Sequence, residues 1–253
     1  MVAVVTDNSI AVEALPAPTH QEWMKLAQAE YDRMVALLRQ LEPGDWTRPT
    51  VCDPWDIRAM ACHVLGMAEL QASFPQFIHD FRSSKRIGGS VVDGINATQV
   101  MERSHMTGAN VVAGLASAAP RAVSMRRRTP ALMRNLVRMR QDPPFQAERW
   151  QYGYLVDTIF TRDTWIHRLD ISRATGRDMV LTAEHDGRIV ADVVADWARR
   201  HGRPFDLTLT GSAGGRYRQG SGGESIQLDA LDFCATVSGR MPGAGLLSTR
   251  VPF

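Results

Sequence analysis

Two segments of this chain carry ionisable side chains where a helical period calls for hydrocarbon. In FTRDTWIHRLDI, Asp163 and His167 stand one turn apart on the inward edge that also holds Val156, Phe160 and Asp170. In WDIRAMACHVLG, His63 falls on the stripe of Met60, Val64, Met67, Leu70 and Phe74. Helical spacing sets Asp163 and His167 about 5–6 Å apart at Cβ. A carboxylate held inside a helical core is costly unless it is paired or bound to a metal, so the fold has to supply a cation or a partner. Two histidines and one carboxylate can hold a divalent ion and leave positions open for chemistry. Each residue also has a plainer explanation. Lone histidines are often hydrogen-bonded core or rim residues, and an Asp-x-x-x-His pair is common as a contact between exposed turns. Joint occurrence on inward stripes favours the ligand reading.

The length of 253 residues allows one large domain or two small ones, and the change of pattern described below favours two. The net charge of +2, from 29 basic and 27 acidic side chains, gives no strong attraction to nucleic acid or membrane. The one basic concentration is Arg126-Arg127-Arg128 with Arg134, Arg138 and Arg140, read first as a solvated helix face and second as an anion or partner site. Cys52, Cys62 and Cys234 cannot all pair and lack zinc-ribbon doublets, which suggests a reducing, cytoplasmic setting. No secretory signal and no membrane-length apolar run is visible, so a soluble protein is expected.

Residues 1–18 read as a flexible leader ending in Pro16-Ala17-Pro18. Thr19 to Glu22 form a capping box before a helix with its stripe at Trp23, Leu26, Ala27, Met34, Leu37, Leu38 and Leu41; Glu30 interrupts that stripe, as a rim residue or as support for the site. The second helix is announced by Asp53 as cap, Pro54 at the first helical position and Asp56 in the first turn, and Pro75 bends or stops it. A further helix spans about Val92 to Ser117, with shorter pieces after Pro120 and Pro130, and residues 141–152 form a connection. The helix over 153–175 ends at Gly176, a C-cap, and four long antiparallel helices are the natural reading. Then the pattern changes to a helix over 183–200, strict alternation in Phe205 to Thr210, strand candidates at 216–219 and 225–228 between Gly-rich turns, and a helix over 229–238. The domain boundaries expected are therefore 19–178 for a helical bundle and 179–253 for a small α+β domain.

Three stretches, WTRPTVCDPWDIRAMACHVLG, DTWIHRLDISRATGR and GESIQLDALDFCATVSGR, resemble the mycothiol-dependent maleylpyruvate isomerase family of the DinB-like superfamily, in order and over nearly the whole chain from about residue 19. The resemblance implies an N-terminal DinB-like four-helix bundle followed by a small α+β sterol-carrier-like domain. It implies a divalent metal, usually zinc, on His63, Asp163 and His167, where the family's prototype has Glu in place of Asp163. It also implies that an arginine of the second domain completes the active site, for which Arg240 in Ser-Gly-Arg is the positional match. The thiol cosubstrate implied is mycothiol, and the partners are that low-molecular-weight thiol and a small-molecule substrate.

The chemistry is intelligible without the family. A free thiol is mostly protonated at neutral pH, and a metal-coordinated one loses its proton. The thiolate would add to an activated double bond, permit rotation and leave, which is cis–trans isomerisation of an unsaturated acid; the same first half without the return is thiol transfer to an electrophile. An arginine suits a carboxylate through forked bonds. Asp170 reads either as the acceptor that orients a ligand histidine or as a partner of Arg168 or Arg173, and Arg168 itself as an exposed partner of nearby acids. Cys62 points about 100° away from His63 around the helix; Cys52 either approaches the mouth of the site or simply packs. Trp55 and Trp165 read as packing anchors. Two rival functions remain in view: a non-catalytic metal-binding or apolar-ligand-binding module, and a redox or metal-responsive regulator using Cys62.

Overall fold

The structure is a computed structural model in which residues 9–87, 89–145 and 147–253 are described. It divides into two compact units, one of Thr19–Met179 and one of Val180–Pro252 with the described residues up to Pro18. Of the expected leader, residues 1–8 lie outside the described residues. The following ones do not trail: Ile10–Ala11 (β1) pair in parallel with Tyr217 and Arg218, and Val12 is buried in a short 3-10 turn.

In the helical unit, α1 (His20–Leu38) starts where Thr19 Oγ1 accepts from the Glu22 amide at 3.2 Å, satisfying one of the donors that every helix start leaves open. Helix α2 (Ile57–Ala72) corrects the expected cap. Asp56, not Asp53, accepts from the Ala59 amide, at 2.8 Å. The reason lies in the preceding loop, where Thr50 binds the Trp55 carbonyl through both its amide and its hydroxyl and Trp55 N donates to Cys52 O, so the chain at 53 and 54 is still turning. Ser73 is extended and closes α2, and Pro75 sits in the first turn of a new helix, α3 (Phe74–Ile87), rather than in the last turn of the old one. Phe74, expected inward, is therefore exposed.

The single helix expected from 92 to 117 is two, α4 (Val91–Arg103) and α5 (Gly108–Arg127), each with its own N-cap, Ser90 and Thr107. Pro120 lies inside α5 instead of starting a separate piece. After α6 (Ala131–Leu136), the stretch read as a plain connection contains a hairpin, β2 (Arg138–Arg140) against β3 (Arg149–Gln151), with Met139 opposite Trp150. A π-helical turn over Tyr154–Ile159 leads into α7 (Phe160–Thr175), which ends at Gly176 in the left-handed conformation, φ 67°. Helix α2 is buried nearly all round, packed by α4, α5 and α7, while α1 lies on α5 and α7.

Three charged side chains are core, two of them, Arg168 and Arg126, read as exposed in the sequence. Glu30 and Arg168 are both buried and pair in a fork, Nε to Oε1 at 2.5 Å and Nη2 to Oε2 at 3.0 Å. Arg126, read as part of a solvated basic face, is buried instead. It donates to the carbonyls of Val156 and Asp157 at 2.6 and 3.2 Å and to Thr161 Oγ1 at 2.6 Å. The π-helical turn frees backbone acceptors that a guanidinium can satisfy.

In the second unit, α8 (Arg188–His201), β4 (Phe205–Thr210), β5 (Gly215–Gln219), β6 (Glu224–Asp229) and α9 (Ala230–Ser238) follow in order, and the sheet runs β1-β5-β4-β6. Strand β4 pairs antiparallel with β5 and parallel with β6, Leu207 facing Tyr217 and Ile226. The core gathers on Trp197, 4.7 Å from Phe205 and 5.4 Å from Phe233 by ring centroid, with its indole N–H on Leu246 O at 3.0 Å. Among the described residues no helix is long and apolar enough to cross a membrane.

Replacing one member of a buried ion pair leaves the other charge stranded, at about 3–5 kcal/mol, whereas replacing both by hydrocarbon is often neutral. Glu30→Met should therefore lower unfolding stability by about that amount, and Glu30→Met with Arg168→Met should recover most of it; urea denaturation of the two variants checks this.

Candidate functional site

The inward edge of α7 brings Asp163 and His167 to the face of α2 that carries His63. Oδ1 of Asp163 lies 3.5 Å from His167 Nε2, and Oδ2 lies 3.7 Å from His63 Nε2. The two imidazoles stand edge to face, 5.1 Å between centroids at 85°, and one donor atom from each of the three residues lies within 4.8 Å of the others. The three residues that sequence periodicity picked out are thus adjacent in space.

The outer ring nitrogens are occupied. His167 Nδ1 stands 3.0 Å from Asp170 Oδ2, and His63 Nδ1 stands 2.9 Å from Gln99 Oε1. The histidine contact, one of the two readings left open for Asp170, is present. Trp55 covers both rings, its centroid 5.0 Å from His63 and 6.3 Å from His167; it is a packing anchor whose load is the site itself. The imidazoles are sealed, at 3% and 8% side-chain exposure, while Asp163 retains 20%. Access to the cluster is therefore past the carboxylate.

Burial opposes the charge on Asp163, but the adjacent His167 and His63 outweigh it and hold the carboxyl far below its ordinary range. Burial likewise works against protonation of His167, yet Asp163 and Asp170 prevail and raise it to about 9. His167 thus lies between two carboxyl groups, Asp163 at 3.5 Å from Nε2 and Asp170 at 3.0 Å from Nδ1.

A divalent ion fits this donor set. Two ligands each about 2.0–2.2 Å from a tetrahedral zinc stand about 3.3–3.6 Å apart, close to the separations of 3.5 and 3.7 Å observed between Asp163 and the two rings. Those separations exceed the usual hydrogen-bond range. Orientation of each ligand ring by an acceptor on its other nitrogen is also what metal-binding histidines require.

The other candidates fall elsewhere. Cys62 Sγ contacts the Arg103 carbonyl at 3.5 Å, and burial pushes the thiol up to about 11, which suits neither a ligand nor a redox sensor. Cys52 Sγ approaches Asp170 Oδ2 at 3.7 Å, behind His167. Arg240 belongs to the other unit, directly after α9, half-buried, its amide on Ala235 O at 2.8 Å. Gln99 and Asp80 were missed in the sequence. Gln99 sits in a helix whose start was placed correctly, yet nothing in local spacing links it to His63.

Fold and cluster together define a mostly helical protein with a small sheet and an internal two-histidine, one-carboxylate centre. A family model described as the mycothiol maleylpyruvate isomerase N-terminal domain matches residues 27–172, and the chain belongs to that family. The fold is shared with the crystal structure of the mycothiol-dependent maleylpyruvate isomerase, at 14% identity and a TM-score of 0.57 over 92% of each chain. A histidine-to-alanine mutant of that enzyme matches at 13% identity and 0.56, again over 92% of each chain. No curated protein matches the chain.

The raised His167 gives a pH dependence whose sign is fixed. Its folded value, about 9, exceeds the ordinary value near 6.5, so its contribution to stability is complete below about pH 6.5 and fades as pH rises toward 9. Metal-free protein should show an imidazole titrating near pH 9 by NMR, and Asp163→Asn should move that midpoint down. An unshifted midpoint in Asp163→Asn would contradict the charge arrangement.

Proposed function

We propose that the chain is a divalent-metal-dependent, mycothiol-using enzyme of the maleylpyruvate isomerase type, with zinc as the metal held by His63, Asp163 and His167. The carrying observation is the convergence of those three donors, with both outer ring nitrogens already committed to acceptors. Membership of the family supports the thiol. The helical unit, with α1, α2, α5 and α7 packed on one another, supports the DinB-like bundle, and the mixed sheet with two helices supports the sterol-carrier-like reading of the second unit.

The ion, when bound, supplies the positive charge that takes the proton from a thiol near neutral pH. The protein's own residues do the rest. His63 and His167 present Nε2 with fixed ring planes, and Asp163 supplies the negative charge that a site of two neutral imidazoles lacks. Asp170 strengthens His167 as a donor by accepting from its other nitrogen. Trp55 keeps water from the flanks of both rings. Arg240, on the sequence match alone, is assigned the substrate carboxylate. Either outcome of thiol addition suits this site: return of the thiol after rotation, which isomerises a small unsaturated acid, or its retention, which is S-transfer.

Zinc-loaded protein incubated anaerobically with mycothiol and a panel of unsaturated acids and electrophiles should give an isomer or a thiol adduct by mass spectrometry. His167→Ala should abolish conversion and lower zinc affinity, because a two-ligand site remains, and His105→Ala, an exposed control, should change neither. Because zinc must displace the proton of His167, affinity should climb with pH up to about 9. Zinc bound without any conversion across the panel would turn the reading toward a non-catalytic metal-binding module.

A further inference from the structure

The ring of His63 is oriented by two residues from two other helices. Its Nδ1 faces Oε1 of Gln99 in α4 at 2.9 Å. The amide nitrogen of Gln99 reaches Oδ2 of Asp80 in α3 at 3.4 Å and Sδ of Met67 at 3.3 Å. The other oxygen of Asp80 accepts from Gln76 Nε2 at 2.7 Å. Gln99 and Asp80 are both at 0% exposure, closed off from bulk solvent.

The direction of the chain follows from chemistry. Burial pushes the Asp80 carboxyl up, against the lowering effect of its bonds from Gln76 and Gln99; in its ionised form it only accepts, so of the two ends of the Gln99 amide it is the NH2 that meets it. The amide oxygen is thereby turned to His63, and it too only accepts. Nδ1 must then carry the hydrogen, which leaves the lone pair of the neutral ring on Nε2. Nε2 is the atom 3.7 Å from Asp163.

The backbone makes room for this. Gly66 lies one turn after His63 on α2, and a Cβ there would come within 2.5 Å of Gln99 Cγ and 2.6 Å of its Cβ. Gly94 does the same between α4 and α3, where a Cβ would stand 2.7 Å from the Ser84 carbonyl oxygen. Glycine inside a helix is less favourable than alanine, yet both occur where Gln99 and Asp80 have to meet.

We propose that Gln99 and Asp80 are positioning residues that lock His63 in its Nδ1–H tautomer and so aim Nε2 at the metal, with Gly66 as the notch that admits Gln99. The inference rests on the metal reading of His63, Asp163 and His167. It gives the two ligand histidines different supports: His167 has a carboxylate directly on its ring, and His63 has one relayed through an amide. A polar cluster present only to hold α3 and α4 against α2 would have no effect on the tautomer.

The test begins with metal-free wild-type protein, where long-range proton–nitrogen correlation NMR should show His63 as Nδ1–H. In Asp80→Asn the new amide can face either end of Gln99, so a mixture of tautomers should appear. Zinc affinity, read by competition with a fluorescent chelator, should fall about 10–100-fold with the circular dichroism spectrum retained. Gln99→Met, close in length but without the acceptor, and Gly66→Ala, which favours the helix but fills the notch, should weaken zinc to a similar degree. A wild-type His63 in the Nε2–H form, or unchanged tautomer and affinity in folded Asp80→Asn or Gln99→Met, would overturn the inference. Wild-type protein that fails to bind zinc while keeping Nδ1–H would overturn the metal reading and uphold the tautomer.

Discussion

The helical unit depends on charges that it has taken out of water and must answer from distant parts of the chain. Helix α7 carries most of them. Asp163 meets His63 of α2, His167 meets Asp170 one turn on, and Arg168 meets Glu30 of α1. Just ahead, the carbonyls of the π-helical turn are taken by Arg126 of α5. Moving one partner of a buried pair away leaves an uncompensated charge, which is strongly destabilising. The pairs therefore fix the axial register of α1, α2 and α5 against α7, and the cluster of donors inherits its geometry from that register.

The same logic separates what was legible in the sequence from what was not. His63, Asp163 and His167 stood out because each broke a hydrophobic stripe, and a broken stripe is a local signal. Glu30 broke a stripe too, but its partner Arg168 is adjacent to His167, off the apparent inward edge, and read as solvent-facing. In α7 the buried arc is so wide that every residue from Thr164 to Ser172 is inside, so a single-edge reading discards real core. Arg126 was hidden by its neighbours: Arg127 and Arg128 are exposed and of the same charge.

The helix boundaries failed for a related reason. Asp53-Pro54 and Asp56 are both good starting chemistry, and the choice between them was made by the loop bonds of Thr50 and Trp55, which local propensity does not include. The break between α4 and α5 fell at Thr107, a cap residue that was visible, but the glycine after it was read as a weakness within one helix rather than as a start. In the second unit the alternation of Phe205 to Thr210 gave β4 with its observed bounds, because one buried face per strand leaves a period of two that nothing nearby contradicts.

The distribution of exposure around the cluster bears on how the site would be used. Both imidazoles are closed in, His63 by Trp55 and Gln99 and His167 by Trp55 and Asp170, and only the Asp163 carboxylate meets solvent to an appreciable extent. A ligand arriving from outside therefore meets negative charge first. Asp163 is held ionised by its histidine neighbours, so the electrostatics that keep the cluster together also set the sign of the charge at its exposed edge.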